Sequence, residues 1–224
     1  CQMKKIIAFC LTASAVLTMS FLPAKKIKLI FFGDSITQMG VQPHGYVTLA
    51  DSMLNAGGGD YDVIGAGIGG NKVYDLYLRM DDDVISKSPD IVVIWVGVND
   101  VWHKKMGTGT DADKFEKFYR AIIKKLKTAH AKVIICTPST IGEKTDYSDE
   151  QDGDLNKYSN IIRKIAADEQ VGLIDLRKDF HEYELAHNPG NIEKGILTRD
   201  GVHLNDAGNR FVANLMVEAI KKIR

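Results

Sequence analysis

Five short apolar runs, at residues 27–32, 61–64, 91–96, 132–136 and 171–175, punctuate this chain at wide intervals. Each is continuous rather than alternating, and each is bounded by Gly, Pro or Asp. A strand with one wet face alternates apolar with polar residues; a continuous run needs cover on both faces. The intervening segments carry a different period. Helical patterns run over about 46–55, 73–86, 111–130 and 155–169, and another starts near Asn205 and continues to the end. Phe115, Phe118, Ile122, Ile123 and Leu126 keep the three-and-four spacing of a helix with one apolar face. Asn205 and Asp206 can cap the final helix. Buried strands alternating with helices predict an α/β fold: a three-layer α/β/α sandwich around a flavodoxin-like, five-stranded parallel sheet. Ligands of such sheets bind beyond the carboxyl ends of the strands, so chemistry is to be sought just after each run.

Charge narrows the partners. Among the 224 residues, Lys plus Arg number 29 and Asp plus Glu number 29, so no basic face is offered to nucleic acid or an anionic membrane. The N-terminus is a different object from the rest. Met3-Lys4-Lys5 is followed by an apolar stretch over 6–22, diluted by Thr12, Ser14, Thr18 and Ser20, with small residues near Ser20 and Ala24. This is the layout of a secretory signal. Residues 1–24 are expected to be such a segment, with one domain over 25–224, exported and without stable membrane insertion after cleavage. Of the three cysteines, Cys1 and Cys10 lie in that segment, so Cys136 has no partner for an internal disulfide and reads as an inert core thiol. No Cys/His spacing resembles a zinc site.

Four motifs follow the apolar runs or precede the last helix. Gly33-Asp34-Ser35-Ile36-Thr37 places Ser35 where the first strand ends, as a nucleophile or as a helix cap. Gly65, Gly67 and Gly70 formally satisfy a dinucleotide-binding spacing. That site also wants an acidic residue ending the next strand, and Asp90 precedes its strand instead. The other reading is a loop that brings a bare backbone N–H to the site, with Gly70 the best candidate. Gly97-Val98-Asn99-Asp100 offers the Asn99 amide as an oxyanion donor or as an Asx turn. Asp200 and His203 supply a base and a carboxylate that can hold it. His103, His130, His181 and His187 read as surface or loop residues rather than ligands.

In this order, the four motifs resemble the SGNH/GDSL hydrolase family, from about Ile27 to the C-terminus. The resemblance implies Ser35 as nucleophile, His203 as base and Asp200 as its orienting partner. It implies an oxyanion hole from the backbone N–H groups of Ser35 and Gly70 and the Asn99 side chain. It implies no metal and no organic cofactor. The family commonly has Asn where this chain has Gly65, which leaves Gly69 as the competitor of Gly70. Asp200 to Asn209 and Thr137-Pro138 look like the small-ester and carbohydrate-deacetylase branches. The activity implied is hydrolysis of small acyl esters, O-acetyl groups on sugars among them. The alternatives are a lysophospholipase or thioesterase for longer acyl chains, and a non-catalytic binding module. The polar stretch 138–154 follows the fourth run and is expected to be a mobile flap over the carboxyl edge that selects hydrated substrates.

Overall fold

The computed structural model describes residues 25–223; the expected signal segment, 1–24, lies outside them. Five strands, β1 (Ile27–Gly33), β2 (Tyr61–Gly67), β3 (Ile91–Trp95), β4 (Lys132–Cys136) and β5 (Gly172–Ile174), form one sheet in the order β2-β1-β3-β4-β5. Every pairing is parallel. The helices are α1 (Ser35–Gly40), α2 (Tyr46–Asn55), α3 (Val73–Asp83), α4 (Val98–Trp102), α5 (Ala112–Thr128), α6 (Asp152–Glu169), α7 (Leu176–His187) and α8 (Asp206–Ile223).

The two faces of the sheet explain the continuous apolar runs. On β1, Leu29 and Phe31 join one core with Tyr46, Phe180, Val212 and Met216, under α2, α7 and α8. Ile30 and Phe32 join the other with Leu76, Phe115, Ile122 and Ile162, under α3, α5 and α6. Each fully buried side chain of this size contributes about 1.5–3 kcal/mol, so neither face tolerates a polar alternate position. Cys136 belongs to the first core, and burial pushes its thiol well above the usual range.

After β1 the chain crosses to β2 on one side, then returns to lay β3 on the other. The carboxyl ends of β1 and β3 therefore flank the crevice where strand order reverses.

Some segments differ from expectation. Helix α7 was not anticipated, because its apolar stripe is thin: Leu176 and Phe180 are buried and Tyr183 packs beside them, in an otherwise charged segment. Helix α6 starts at Asp152, and α8 is capped as expected, with Asn205 Oδ1 accepting from Gly208 N at 2.9 Å. The expected flap is docked over its first half. Ser139, Thr140 and Glu143 are buried, and the N–H groups of Gly142 and Glu143 donate to the carbonyls of Gly201 and Glu193 at 2.8 and 2.9 Å. Its polar side chains are spent inward.

Candidate active site

Strand β1 ends against a tight packing constraint. A Cβ at Gly33 would lie 2.3 Å from Thr37 Oγ1 and 2.4 Å from the Trp95 carbonyl, so the close approach of β3 and α1 requires glycine there. Asp34 then caps α1, its Oδ1 accepting from Ile36 N at 3.0 Å. Burial, reinforced by the charge of Asp100, pushes the Asp34 carboxyl up to about 7 against that hydrogen bond. Ser35 is the first residue of α1. Its N–H belongs to the first turn, which has no intrahelical acceptor.

Ser35 Oγ lies 3.0 Å from His203 Nε2, and His203 Nδ1 lies 2.8 Å from Asp200 Oδ2. The carboxylate can only accept, so Nδ1 carries the proton and Nε2 is left to accept from the serine hydroxyl. Asp200 Oδ1 accepts from the N–H groups of Val202 at 3.1 Å and His203 at 2.7 Å. Partial burial works against the Asp200 charge, but the His203 imidazole and these two N–H groups hold its pKa below the ordinary value. The turn needs Gly201, at φ +92°, whose N–H donates to Thr198 Oγ1 at 3.0 Å.

The glycine loop after β2 faces the same point. A Cβ at Gly69 would come within 4.0 Å of Ser35 Cβ and 3.1 Å of Gln38 Oε1. Gly70, at φ +74°, sits 4.0 Å below His103 Cε1 by the same measure. Asn99 is 2% exposed, and its Nδ2 donates to the Asn71 carbonyl at 3.1 Å, leaving the second amide hydrogen for another acceptor. It is held in α4 facing the loop rather than closing an Asx turn on its own strand. Asp100 accepts from Val73 N with both oxygens, at 3.2 and 3.3 Å. Burial pushes its carboxyl up to about 6. His103 is half-buried rather than free on the surface; burial, then Lys72, lower its pKa.

Two charged residues that sequence reasoning missed hold this assembly. Arg79 Nη2 donates to the carbonyls of Gly33 at 2.7 Å and Ala66 at 3.0 Å, and Nε donates to Asn71 Oδ1 at 2.7 Å. Its guanidinium lies 4.6 Å over the Phe32 ring. One side chain thus fixes the ends of β1 and β2 and the loop between β2 and α3. Glu143 does the same for the histidine loop. Its carboxylate accepts from the N–H groups of Ile196, Leu197 and Thr198 at 2.7, 2.7 and 2.6 Å. Neither had a local signal, since a lone Arg in a charged helix and a Glu in a polar loop are common surface residues.

Of the expected site residues, Ser35, His203 and Asp200 are joined by hydrogen bonds at the carboxyl edge, while Gly69 is the glycine beside Ser35, Gly70 lies beside His103, and Asn99 is bonded to Asn71 in the same loop. The Trp102 ring lies 6.4 Å from that of His203, and Trp102 and Asp200 open onto a cleft of about 440 Å³. Among the described residues, no group of three or more His, Cys, Asp or Glu could hold a metal ion, and no helix is long and apolar enough to cross a membrane. A hydroxyl within reach of an oriented imidazole, beside amide donors, can attack an ester carbonyl.

Residues 31–211 match the family described as GDSL-like Lipase/Acylhydrolase. The crystal structure of an acetyl xylan esterase, AlAXEase, is 65% identical with a TM-score of 0.85, covering 87% of this chain and 100% of its own. An acetylxylan esterase of Geobacillus stearothermophilus is 28% identical over 211 residues, 86% of this chain and 93% of that protein. The uncharacterized lipoprotein YqeF of Bacillus subtilis (strain 168) is 26% identical over 207 residues, 82% of this chain and 85% of that protein.

Proposed function

Because the chain belongs to the GDSL-like lipase/acylhydrolase family and is a carboxylic ester hydrolase, we propose that it removes acetyl groups from xylan-type carbohydrates through a Ser35–His203–Asp200 triad. The observation that carries this reading is the unbroken hydrogen-bonded chain from Ser35 Oγ to Asp200, at 3.0 and 2.8 Å. The name of the 65% identical structure supports the substrate.

Ser35 Oγ attacks the acetyl carbonyl carbon as His203 Nε2 takes its proton. The carbonyl oxygen becomes an oxyanion and receives the N–H groups of Ser35 and Gly70 and the second Asn99 amide hydrogen. The tetrahedral intermediate collapses: the carbon–oxygen bond to the sugar breaks, and the imidazolium returns its proton to the departing oxygen. Water then attacks the acetyl-enzyme with His203 again as base, releasing acetate and the free serine. Asp200 fixes the tautomer and stabilises the imidazolium without taking the proton. Residues 25–224 act as one hydrolase domain, and residues 1–24 serve as the signal for export. A lipoprotein among the relatives supports that location.

The test is acetate release from acetylated xylan and from p-nitrophenyl acetate by wild type and Ser35→Ala. Loss of a triad nucleophile costs about 10⁶ in turnover in a comparable hydrolase. A variant retaining a tenth of wild-type turnover overturns the serine mechanism.

A further inference from the structure

We propose that Lys72 is a positioning residue for the oxyanion hole: its ammonium group fixes the carbonyl of Gly70 and sets a positive charge behind the N–H groups that receive the oxyanion. This deepens the esterase reading above, in which Gly70 donates, and rests on it.

Lys72 stands where a lysine is unfavourable on three counts. It is the N-cap of α3, a position that favours Ser, Thr, Asp or Asn because their oxygens accept from first-turn N–H groups. An ammonium group accepts nothing. The N-terminal end of a helix is also the positive end of its dipole, so a cation there is repelled. Finally, Lys72 is only 8% exposed and has no ion pair among the described residues, although lysine is almost never buried unless paired. The neighbouring carboxylates serve other groups. Asp75 Oδ2 accepts from the Lys72 backbone N–H at 2.9 Å, and both oxygens of Asp100 accept from Val73 N.

What the ammonium group reaches is the glycine loop. Its Nζ donates to the Gly70 carbonyl at 3.4 Å and lies 5.6 Å from the centre of the Tyr74 ring. Gly70 has φ +74°, and its own N–H donates to no group among the described residues. The next residue is held from other sides. Asn71 N–H donates to the Ile68 carbonyl at 3.3 Å, the Asn71 carbonyl accepts from Asn99 Nδ2 at 3.1 Å, and Asn71 Oδ1 accepts from Arg79 Nε at 2.7 Å. Lys72 supplies the tether on Gly70 itself. A glycine is free to swing its flanking peptides, so that tether helps fix where the N–H points. The charge is felt across the loop: burial and then Lys72 lower the pKa of His103, whose Cε1 would lie 4.0 Å from a Cβ on Gly70. A cation and a helix N-terminus together favour an anion. The anion of this mechanism is the tetrahedral intermediate; the bound ester is neutral, so the interaction strengthens only as charge develops.

The experiment compares wild type with Lys72→Met, Lys72→Gln and Lys72→Arg in hydrolysis of p-nitrophenyl acetate and in inhibition by methylboronic acid. Ser35 Oγ adds to the boron as His203 takes the hydroxyl proton, and the boron becomes a tetrahedral anion in place of the intermediate. Both neutral variants are expected to lose at least about tenfold in kcat and in boronate affinity, the order expected for a unit charge several ångströms away in a partly screened site. KM should stay within about twofold, because the ester carries no charge to lose. Lys72→Arg should recover most of both losses. A folded neutral variant with wild-type kcat and boronate affinity overturns the proposal, as does an arginine variant no better than the neutral ones. A rise in KM alone, or a fall in Tm without a fall in kcat, overturns it too, since Lys72 is then a binding or a structural residue. Wild type inactive on p-nitrophenyl acetate refutes the esterase reading itself.

Discussion

Glu143 carries the heaviest testable load outside the proposed triad. Its two oxygens serve three backbone N–H groups on consecutive residues, Ile196 to Thr198, just before the turn that presents Asp200 and His203. Orphaning a buried donor costs about 1–3 kcal/mol, so Glu143→Ala forfeits about 3–9 kcal/mol, of the same order as the 5–15 kcal/mol that holds a whole domain. That variant is expected not to accumulate as folded protein. Glu143→Gln is the informative one. Its amide oxygen can keep the two bonds now made by Oε1, but its NH₂ group meets the Ile196 N–H donor to donor. One bond is lost, about 1–3 kcal/mol, which for a chain of this length lowers Tm by roughly 2–12 °C. The damage falls on the segment that positions the histidine, and a misplacement of about 1 Å costs on the order of 10² in rate. Calorimetry and steady-state kinetics on p-nitrophenyl acetate check both parts: Tm should fall, and kcat should fall much more than KM rises. A Glu143→Gln enzyme with wild-type Tm and kcat would refute the reasoning. If Tm drops while kcat stays put, the bonds hold the loop without holding the triad.

Two further outcomes are expected. Asn99→Ala should lower kcat by about 10² to 10³ with little change in KM, because an oxyanion donor strengthens as charge develops; a rise in KM alone would make Asn99 a binding residue. Glu184 is 1% exposed, and burial, with the Glu143 charge beside it, pushes its carboxyl up to about 8 from the usual 4.5. Below about 4.5 both folded and unfolded chains hold the proton; between there and about 8 only the folded chain does, so stability falls by about 1.4 kcal/mol per pH unit across that window and levels above it. Glu184→Gln should flatten the decline of Tm between pH 5 and 8; parallel curves for the two proteins would remove Glu184 from the pH dependence.

The sheet was legible because two-sided burial writes itself into sequence as an unbroken apolar run, and β3, with all five residues buried, is the plainest case. The candidate site was legible because parallel strands deliver their carboxyl ends to one edge, so Ser35, the glycine loop and Asn99 had to meet. Helix α7 escaped because only three of its apolar side chains face the core. Arg79 and Glu143 escaped for a different reason. Their partners are backbone groups 46 and 13 residues away in one case and 53 to 55 in the other, and a backbone carbonyl or N–H has no side-chain signature. The need for Gly33 was not legible either, because what excludes a side chain there is the Thr37 hydroxyl and the Trp95 carbonyl, brought close only by the fold.

The docking of the segment between β4 and α6 sets a limit on how this enzyme can be re-engineered. Its second half, from Lys144 to Glu150, forms much of a cleft wall, and Tyr147 there is largely exposed. Its first half is stitched to the histidine turn by Gly142 N–H to the Gly201 carbonyl and by the Glu143 carboxylate. Grafting a foreign loop across the whole span would change substrate preference and misalign the base in one stroke, and the two effects would be inseparable in an activity screen. A library confined to 147–150 varies the wall and leaves in place both the bonds of Thr145 and Asp146 to Asn191 and those of Gly142 and Glu143 to the histidine loop.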